Sequence, residues 1–500
     1  MRIILINPPQ TVLTGRPSVP YNILTLGTYL DNLGHDVKLV DFLVNENVDI
    51  NKRYRDKKQI NLSDRFWKKN VLQLEAFETV LRSFQPDLIG ISIGLTESYY
   101  HSQVIIKKCK EILSDVPIVV GGNHATFSIN EIFSQNDVDI VVKNDGRKPL
   151  ELILNLIKNN ELKHNNLKKI FNIAYKYDGK IIETEFNHSY LLNYFPNNYD
   201  LLPIDHYYES IILLSLICPY KCPFCSAGRY YNPNYKPPID NILEEIEHLT
   251  SFDIDVGFGD NTFTLNKKLV NELFEKIKQR GLNFKWRTTT RIDQINRELL
   301  LKMKEAGCTG LLFGLETLHD DILKTINKRI TYQQIKKAVK LTKEMGIDVI
   351  SSFIIGLPFQ TPDHLIDQIN RMEELDIINK NLTMGWLVPF KGTEFYNNPE
   401  KYQLKIITNN YYFYSFRFPV VETPYLPFEK AVETFQIISF QLAEKIDPSF
   451  ANLYKGYSFL GYFLDQLKGW KKWWVRKGWD LPAYDDLYLL KLEKEIQKYT

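Results

Sequence analysis

The sequence predicts an α/β protein in three parts. A flavodoxin-like parallel sheet comes first, then six βα repeats that suggest a partial or complete α/β barrel, then a mainly helical end. Three observations carry this reading. Short, continuously apolar runs alternate with amphipathic stretches over most of the chain. At 500 residues the chain is too long for a single core. A hydrophobic content of 44% with 24% charged residues is that of a globular protein, not a disordered or fibrous one.

In the first part, "RIILIN" (2–7), "DVKLVDF" (36–42), "DLIGISI" (87–93), "PIVVGG" (117–122) and "VDIVVKN" (138–144) read as buried strands. Amphipathic stretches such as 23–33 and 98–113 lie between them, so the sheet should be parallel and covered on both faces. The polar segment 45–70 reads as an insertion. A ligand of such a sheet sits at the carboxyl ends of the strands, where Ser92, Gly94, Thr96, Gly121, Gly122, Asn123 and His124 cluster. A hairpin at 172–184 and a Pro/Asn-rich stretch at 193–208 close the unit. The second series has strands at 210–217, 254–259, 284–290, 310–315, 347–355 and 384–389, with helices between them such as 241–250 and 333–345. Domain boundaries are placed at 1–165, 166–206 (hairpin and linker), 207–400 and 401–500.

Lys and Arg number 62 against 60 Asp and Glu, so no global basic field favours nucleic acid as a partner. Five cysteines with no basic, apolar leader at the N-terminus argue against a disulfide framework. Reduced thiols and a cytoplasmic location are expected. Three of the five, Cys218, Cys222 and Cys225, are spaced C-x3-C-x2-C after the first barrel strand, where barrel folds place their chemistry. A structural zinc site would need a fourth ligand, for which His206 is available. An iron–sulfur cubane held by three thiolates leaves one iron open for a substrate or cosubstrate. Spacing alone leaves both readings standing.

The triplet, with Phe224 before its last cysteine, resembles the signature of radical S-adenosylmethionine (SAM) enzymes. The resemblance implies a [4Fe–4S] cluster on Cys218, Cys222 and Cys225, with SAM chelating the open iron and Phe224 beside it. "VGFGDNTFT" (256–264) is similar to the family's second-strand segment, which would bring Gly259 and Asp260 to the SAM amino group. "WRTTTRID" (286–293) places Arg291 as a carboxylate partner, and "GLLFGLET" (310–317) places Glu316 against SAM polar groups. "FIIGLPFQT" (353–361) sets Ile354 and Gly356 near the adenine, and "VPFKGTEFY" (388–396) resembles the last barrel strand and its exit turn. Singly, each has a plainer reading. Arg291 and Glu316 would serve as surface charges, 356–358 as a strand-ending turn, and "GFGDNT" lacks the third glycine of a dinucleotide loop. Cys109 and Cys308 read as small buried hydrophobes.

The first 150 residues resemble the cobalamin-binding domain of one branch of these enzymes, the class B-type methyltransferases. The resemblance assigns Ser92, Gly94, Thr96, Gly121, Gly122, Asn123 and His124 to the corrin. The loop "NPPQTVLTG" contains no histidine, so cobalt is expected to lack a histidine from the first-strand loop, with His124 a loop or edge contact. A domain that keeps the fold without binding a corrin is the plainer reading. The implied activity is methylation of an unactivated carbon of a small-molecule or lipid-like substrate, with an electron donor such as flavodoxin or ferredoxin. The alternatives are a cobalamin-dependent radical SAM cyclase, rearrangement or oxidation enzyme, and a non-catalytic cluster- and corrin-binding sensor. In the last hundred residues, 452–479 interleaves aromatics with Lys and Arg. Internal packing is the favoured use of Leu460, Phe463, Leu464 and Leu467. Peripheral membrane contact or a pocket wall are the other uses of Trp470, Trp473 and Trp474.

Overall fold

The computed structural model describes residues 1–10, 17–44, 71–187, 197–215, 218–227, 237–446, 459–482 and 486–499. The chain forms two compact units: residues 1–211 with 234–255 and 470–482, and residues 212–233 with 256–469 and 483–500. The polar segment 45–70, and 452–458 of the aromatic stretch, lie outside the described residues.

The first unit is a seven-stranded sheet in the order β2-β1-β3-β4-β5-β6-β7. Its strands are β1 Arg2–Asn7, β2 Asp36–Asp41, β3 Leu88–Ser92, β4 Ile118–Gly121, β5 Ile140–Val142, β6 Ile173–Tyr177 and β7 Lys180–Glu183. The first five pair in parallel, in the flavodoxin order 2-1-3-4-5, because helices cross over between them. Ile3, Ile4, Leu5 and Ile6 of β1 are all buried, as a central strand covered on both faces requires. The hairpin that the sequence placed in a connecting stretch instead extends this sheet, since β6 pairs antiparallel with β5 and β7 with β6. Gly122 makes the carboxyl edge possible. Its φ is +98°, and a Cβ there would lie 2.7 Å from the Ile93 carbonyl carbon and oxygen, so β4 can close on the end of β3 only with glycine.

Residues 470–482 supply aromatic core to the same unit. Trp479 meets Phe42 edge-on at 5.5 Å, and the His101 ring sits against Trp474 and Trp479 at 4.7 and 5.0 Å. Burial among these rings pushes the His101 imidazole down to about 3, so it is neutral. Leu460, Leu464 and Leu467 are buried, Phe463 is half-buried, and Trp470, Trp473, Trp474 and Trp479 are all interior. Those tryptophans are therefore spent on packing and are not the anchors of an interfacial helix. Among the described residues, no helix is long and apolar enough to cross a membrane.

The second sheet has six strands, β13-β12-β11-β10-β9-β8, in unbroken sequence order, as a partial barrel built from consecutive βα repeats. These are β8 Glu209–Ile212, β9 Asp255–Phe258, β10 Trp286–Thr290, β11 Cys308–Glu316, β12 Asp348–Ile355 and β13 Leu382–Trp386. Helix starts follow capping chemistry. Asn266 and Asn296 accept the N–H groups of Leu269 and Leu299, and Thr331 with Gln334 and Thr361 with His364 form reciprocal caps. Trp286 centres one core cluster, touching Phe258, Phe263 and Phe274, with its indole N–H donated to the Ala306 carbonyl at 2.7 Å.

Glu245, on the helix Ile239–Ser251 of the first unit, is buried and accepts hydrogen bonds from Tyr199 Oη at 2.8 Å and Asn197 Nδ2 at 2.5 Å. Burial outweighs these donors and raises its carboxyl from 4.5 to about 8. Between those values the native protein holds a proton that the unfolded chain has released. This stabilisation is complete below the ordinary value and is lost as pH rises to about 8. Glu245→Gln should remove that component. Melting temperatures of wild type and variant, compared from pH 5 to 9, should diverge with rising pH, the wild type losing more, with a limiting slope of ~1.4 kcal/mol per pH unit.

Candidate active site and cofactor-binding faces

The cysteines lie in a loop just after β8. The Cys225 amide donates to the Cys222 carbonyl at 3.1 Å, which folds these two cysteines into one turn of a short arch that Cys218 begins four residues earlier. Cys218 and Cys222 are partly exposed and Cys225 is exposed, and none is in a disulfide. Burial is the first influence on Cys222 and raises its thiol, while Lys328 and Arg291 pull it back down. Cys225 is also raised, by loss of hydration round its sulfur despite the residue's exposed surface, with the Ala227 amide opposing from 3.4 Å. Each of these two thiols feels Cys218 as a further negative neighbour. Among the described residues, no three His, Cys, Asp or Glu side chains are drawn together tightly enough for one metal ion. Three unpaired soft donors on one arch, with two cations against their charge, suit a cluster with several irons better than closed tetrahedral zinc.

Neighbouring strand ends hold the arch from several sides. The Arg291 guanidinium stacks 3.8 Å from the Tyr220 ring centroid, and Gln294 Nε2 donates to Tyr220 Oη at 3.0 Å. Asn327 Nδ2 donates to the Lys221 carbonyl at 3.1 Å, and the Phe395 amide to the Pro223 carbonyl at 3.0 Å. Phe224 faces Phe395 at 6.4 Å, with Lys328 Nζ 5.9 Å from the Phe224 centroid. At the base, Asp260 accepts from the amides of Leu214 and Ser215 at 3.0 and 2.6 Å and from Ser215 Oγ at 2.8 Å. Burial raises this carboxyl to about 7 against those three donors. The Asp260 side chain thus points into the protein, and exposed Gly259 is the part of the turn open to a ligand.

The other expected SAM residues are also gathered at strand ends, but several are already engaged. Arg291 makes a two-pronged pair with Asp293, both contacts 2.9 Å, and donates to the Lys328 carbonyl at 2.7 Å. Glu316, at the end of β11, takes a left-handed φ of +65° and binds Lys328 Nζ at 2.8 Å, both side chains buried. Ile354 is half-buried on β12. The Gly356 amide donates to Gln360 Oε1 at 2.8 Å, which also receives the Leu357 amide at 3.3 Å. Lys328, Tyr220, Asp293 and Gln360 escaped sequence reasoning. "INKRI" looks like a solvated charged tract, and Gln360, though inside "FIIGLPFQT", carries no charge to single it out. Cys109 and Cys308 are buried, and burial pushes both thiols up to about 12, as inert core residues.

At the carboxyl edge of the first sheet, Ser92 Oγ accepts from Asn22 Nδ2 at 2.5 Å. Gly94 has nothing within 4 Å of where a Cβ would stand, Leu95 is exposed, and Asn123 opens a short helix at the surface. Gly121 and Gly122 bring β4 to this edge, and buried Thr96 supports it. His124 is turned inward, its ring 4.8 Å from Tyr99 and Nδ1 3.3 Å from Thr96 Oγ1. Asp41, which the sequence did not single out, is buried beside this edge and accepts from Asn7 Nδ2, the Leu43 amide and Tyr207 Oη. Open glycine backbone beside an exposed leucine fits one face of a large, partly apolar cofactor.

Comparison with known proteins agrees with both faces. Residues 212–372 match the radical SAM superfamily model, and residues 14–154 match the B12 binding domain model. The chain is a radical SAM enzyme with a B12-binding domain. Its cofactors are accordingly SAM, a [4Fe–4S] cluster and cobalamin. The chain is 28% identical over 465 residues to an uncharacterized methyltransferase, PH0819, of Pyrococcus horikoshii, covering 89% of this chain and 94% of that protein. It is 27% identical over 335 residues to the anaerobic magnesium-protoporphyrin IX monomethyl ester cyclase of Cereibacter sphaeroides, covering 61% of this chain and 52% of the cyclase. Two solved structures share the fold. The radical SAM methyltransferase TsrM from Kitasatospora setae, with cobalamin and a [4Fe–4S] cluster bound, has a TM-score of 0.65 at 17% identity, over 94% of this chain and 99% of its own. OxsB, with aqua-cobalamin and SAM bound, has a TM-score of 0.64 at 14% identity, over 100% of this chain and 84% of its own.

Two substitutions test how this radical SAM enzyme supports its cysteine arch. Lys328→Met strands a buried carboxylate and should lower unfolding free energy by about 3–5 kcal/mol, read by urea denaturation, whereas adding Glu316→Gln should recover much of the loss. Asp260→Ala should retain less than about half the wild-type iron after anaerobic reconstitution, because the amides at 214 and 215 lose their acceptor.

Proposed function

We propose that the enzyme transfers a methyl group to an unactivated carbon of a small, partly apolar molecule. The observation that carries this reading is the presence, in one chain, of the three-thiol arch and the B12-binding domain. A relative named as a methyltransferase that matches nearly end to end supports it. When bound, the cluster with SAM supplies hydrogen abstraction from carbon, and cobalamin supplies a methyl carrier.

The chain's own residues bind and orient. Cys218, Cys222 and Cys225 are the cluster ligands. Asp260 fixes the chain entering their arch, and Tyr220 with Arg291 fixes its far side. Gly259 offers backbone to SAM, with Ile354 and Gly356 beside its adenine. The Lys328–Glu316 pair sets a buried dipole next to the arch. Ser92, Gly94, Thr96, Gly121, Gly122, Asn123 and His124 form or support the corrin face, with no cobalt ligand from His124, whose ring is turned inward. A small reduced protein such as a flavodoxin or ferredoxin would deliver electrons.

A second reading has a specific observation behind it, since relatives named as cyclases also match. In that case the substrate is cyclised or oxidised without methyl transfer. The deciding experiment is anaerobic reconstitution with iron, sulfide and hydroxocobalamin, followed by SAM and reductant. Near-stoichiometric cobalamin retention and 5′-deoxyadenosine formation that disappears in Cys222→Ala are expected. With substrate, S-adenosylhomocysteine and methylated product should appear in equal amounts. Deoxyadenosine without either assigns the cyclase reading, and SAM left intact by the reduced protein refutes both.

A further inference from the structure

The loops after the last two barrel strands each carry an aromatic ring, and each ring is joined by one from the segment that follows. After β12, Phe359 meets Tyr425 at 5.2 Å, and after β13, Phe390 meets Phe416 edge-on at 5.7 Å. Phe416 is anomalous in its surroundings. Between 411 and 420 every residue is buried except Arg417, which is half-buried, and Phe416, which is 59% exposed. Tyr425 is 42% exposed.

The exposed ring is held firmly. The Phe416 carbonyl accepts the Trp386 amide at 2.9 Å, so this segment continues the hydrogen bonding of β13, the edge strand of the sheet. A Cβ on Gly385 would lie 2.8 Å from the Phe416 Cβ and 3.2 Å from its carbonyl oxygen, so residue 385 must be glycine for Phe416 to sit there. Gly385 is in register with Ile354 across the parallel pair. In-register neighbours share a sheet face, so Phe416 lies over the same face that presents half-buried Ile354. The same exit turn also touches the cysteine arch, through the Phe395 amide on the Pro223 carbonyl.

We propose that Phe416, backed by Phe390, is a specificity-determining platform that receives a flat apolar ring of the substrate. A large aromatic surface left to water costs free energy that burial by a ligand returns. Its backbone anchoring means the ring pays little ordering entropy when a ligand stacks on it. Its place over the Ile354 face, backed by Phe390 of the exit turn whose Phe395 amide meets Pro223, sets the bound ring on the sheet face that carries the expected adenine contact. The inference rests on the radical SAM site described above and names the substrate class that site accepts.

The probe is 1-anilinonaphthalene-8-sulfonate, titrated by fluorescence into the anaerobic holoprotein loaded with cluster, cobalamin and SAM. Wild type should bind it saturably. Phe416→Ala should weaken binding by at least about fivefold, and Phe416→Trp should stay within about twofold of wild type. Leu487→Ser, which removes an exposed leucine on a C-terminal helix, should leave binding unchanged. Absence of saturable binding, a Phe416→Ala affinity within about twofold of wild type, or an equal loss in Leu487→Ser overturns the platform. Deoxyadenosine formation by the wild-type holoprotein, measured in parallel, tests the reading of the site alone, so the two failures are distinguishable.

Discussion

The carboxylate of Asp260 is the constraint on which the cysteine site depends. Three cysteines on a flexible loop would lose much of their affinity for any cluster to the entropy of ordering that loop. Asp260 removes part of this cost beforehand, because it takes the two successive amides of Leu214 and Ser215 and the Ser215 hydroxyl at the point where the strand gives way to the arch. A buried carboxyl is expensive unless its oxygens are filled, and here the donors that fill them belong to the segment that must be held. The acid and the arch therefore stabilise one another.

Electrostatics complete what hydrogen bonding begins. Burial disfavours thiolates, yet ligation needs them, and the opposing influences at Cys222 are Lys328 and Arg291. Neither cation floats. Arg291 is clamped by Asp293, by the Lys328 carbonyl and by the Tyr220 ring, and Lys328 by Glu316. Held charges cost no reorganisation when a ligand arrives, which is the advantage of fixed dipoles over mobile side chains. The left-handed backbone at Glu316 is the local strain accepted to aim that carboxylate.

Each unit buries an acid whose carboxyl is raised by loss of hydration. In the first, Glu245 is so deeply placed that it stays protonated near neutrality and acts as a neutral hydrogen-bonding group between Tyr199 and Asn197. In the second, burial raises Asp260 to about 7 while backbone amides oppose the shift by favouring its charged form. The first unit also holds a neutral histidine, His101, in a cage of tryptophans contributed by 470–482. The aromatic richness of the C-terminal region is thus in large part the core of the N-terminal unit.

Strand and helix positions and the cysteine spacing were legible in the chain because they depend on local periodicity and on ligands close in sequence. The five parallel strands of the first sheet and the βα repeats of the second stand within a few residues of where apolar runs placed them. The hairpin was recognised as a hairpin, but its union with β5 was not, since pairing across a sheet leaves no local mark. Tyr220, Lys328 and Phe416 were invisible for the same reason. Each matters through a partner far away in sequence, and an isolated tyrosine, lysine or phenylalanine reads as surface or core. By itself the sequence determined which elements form and which thiols are available, because those follow from short-range patterns. Only the tertiary structure decided which charges are committed, which acid clamps the arch and which ring is left facing outward. Those outcomes depend on what packing brings within a few ångströms.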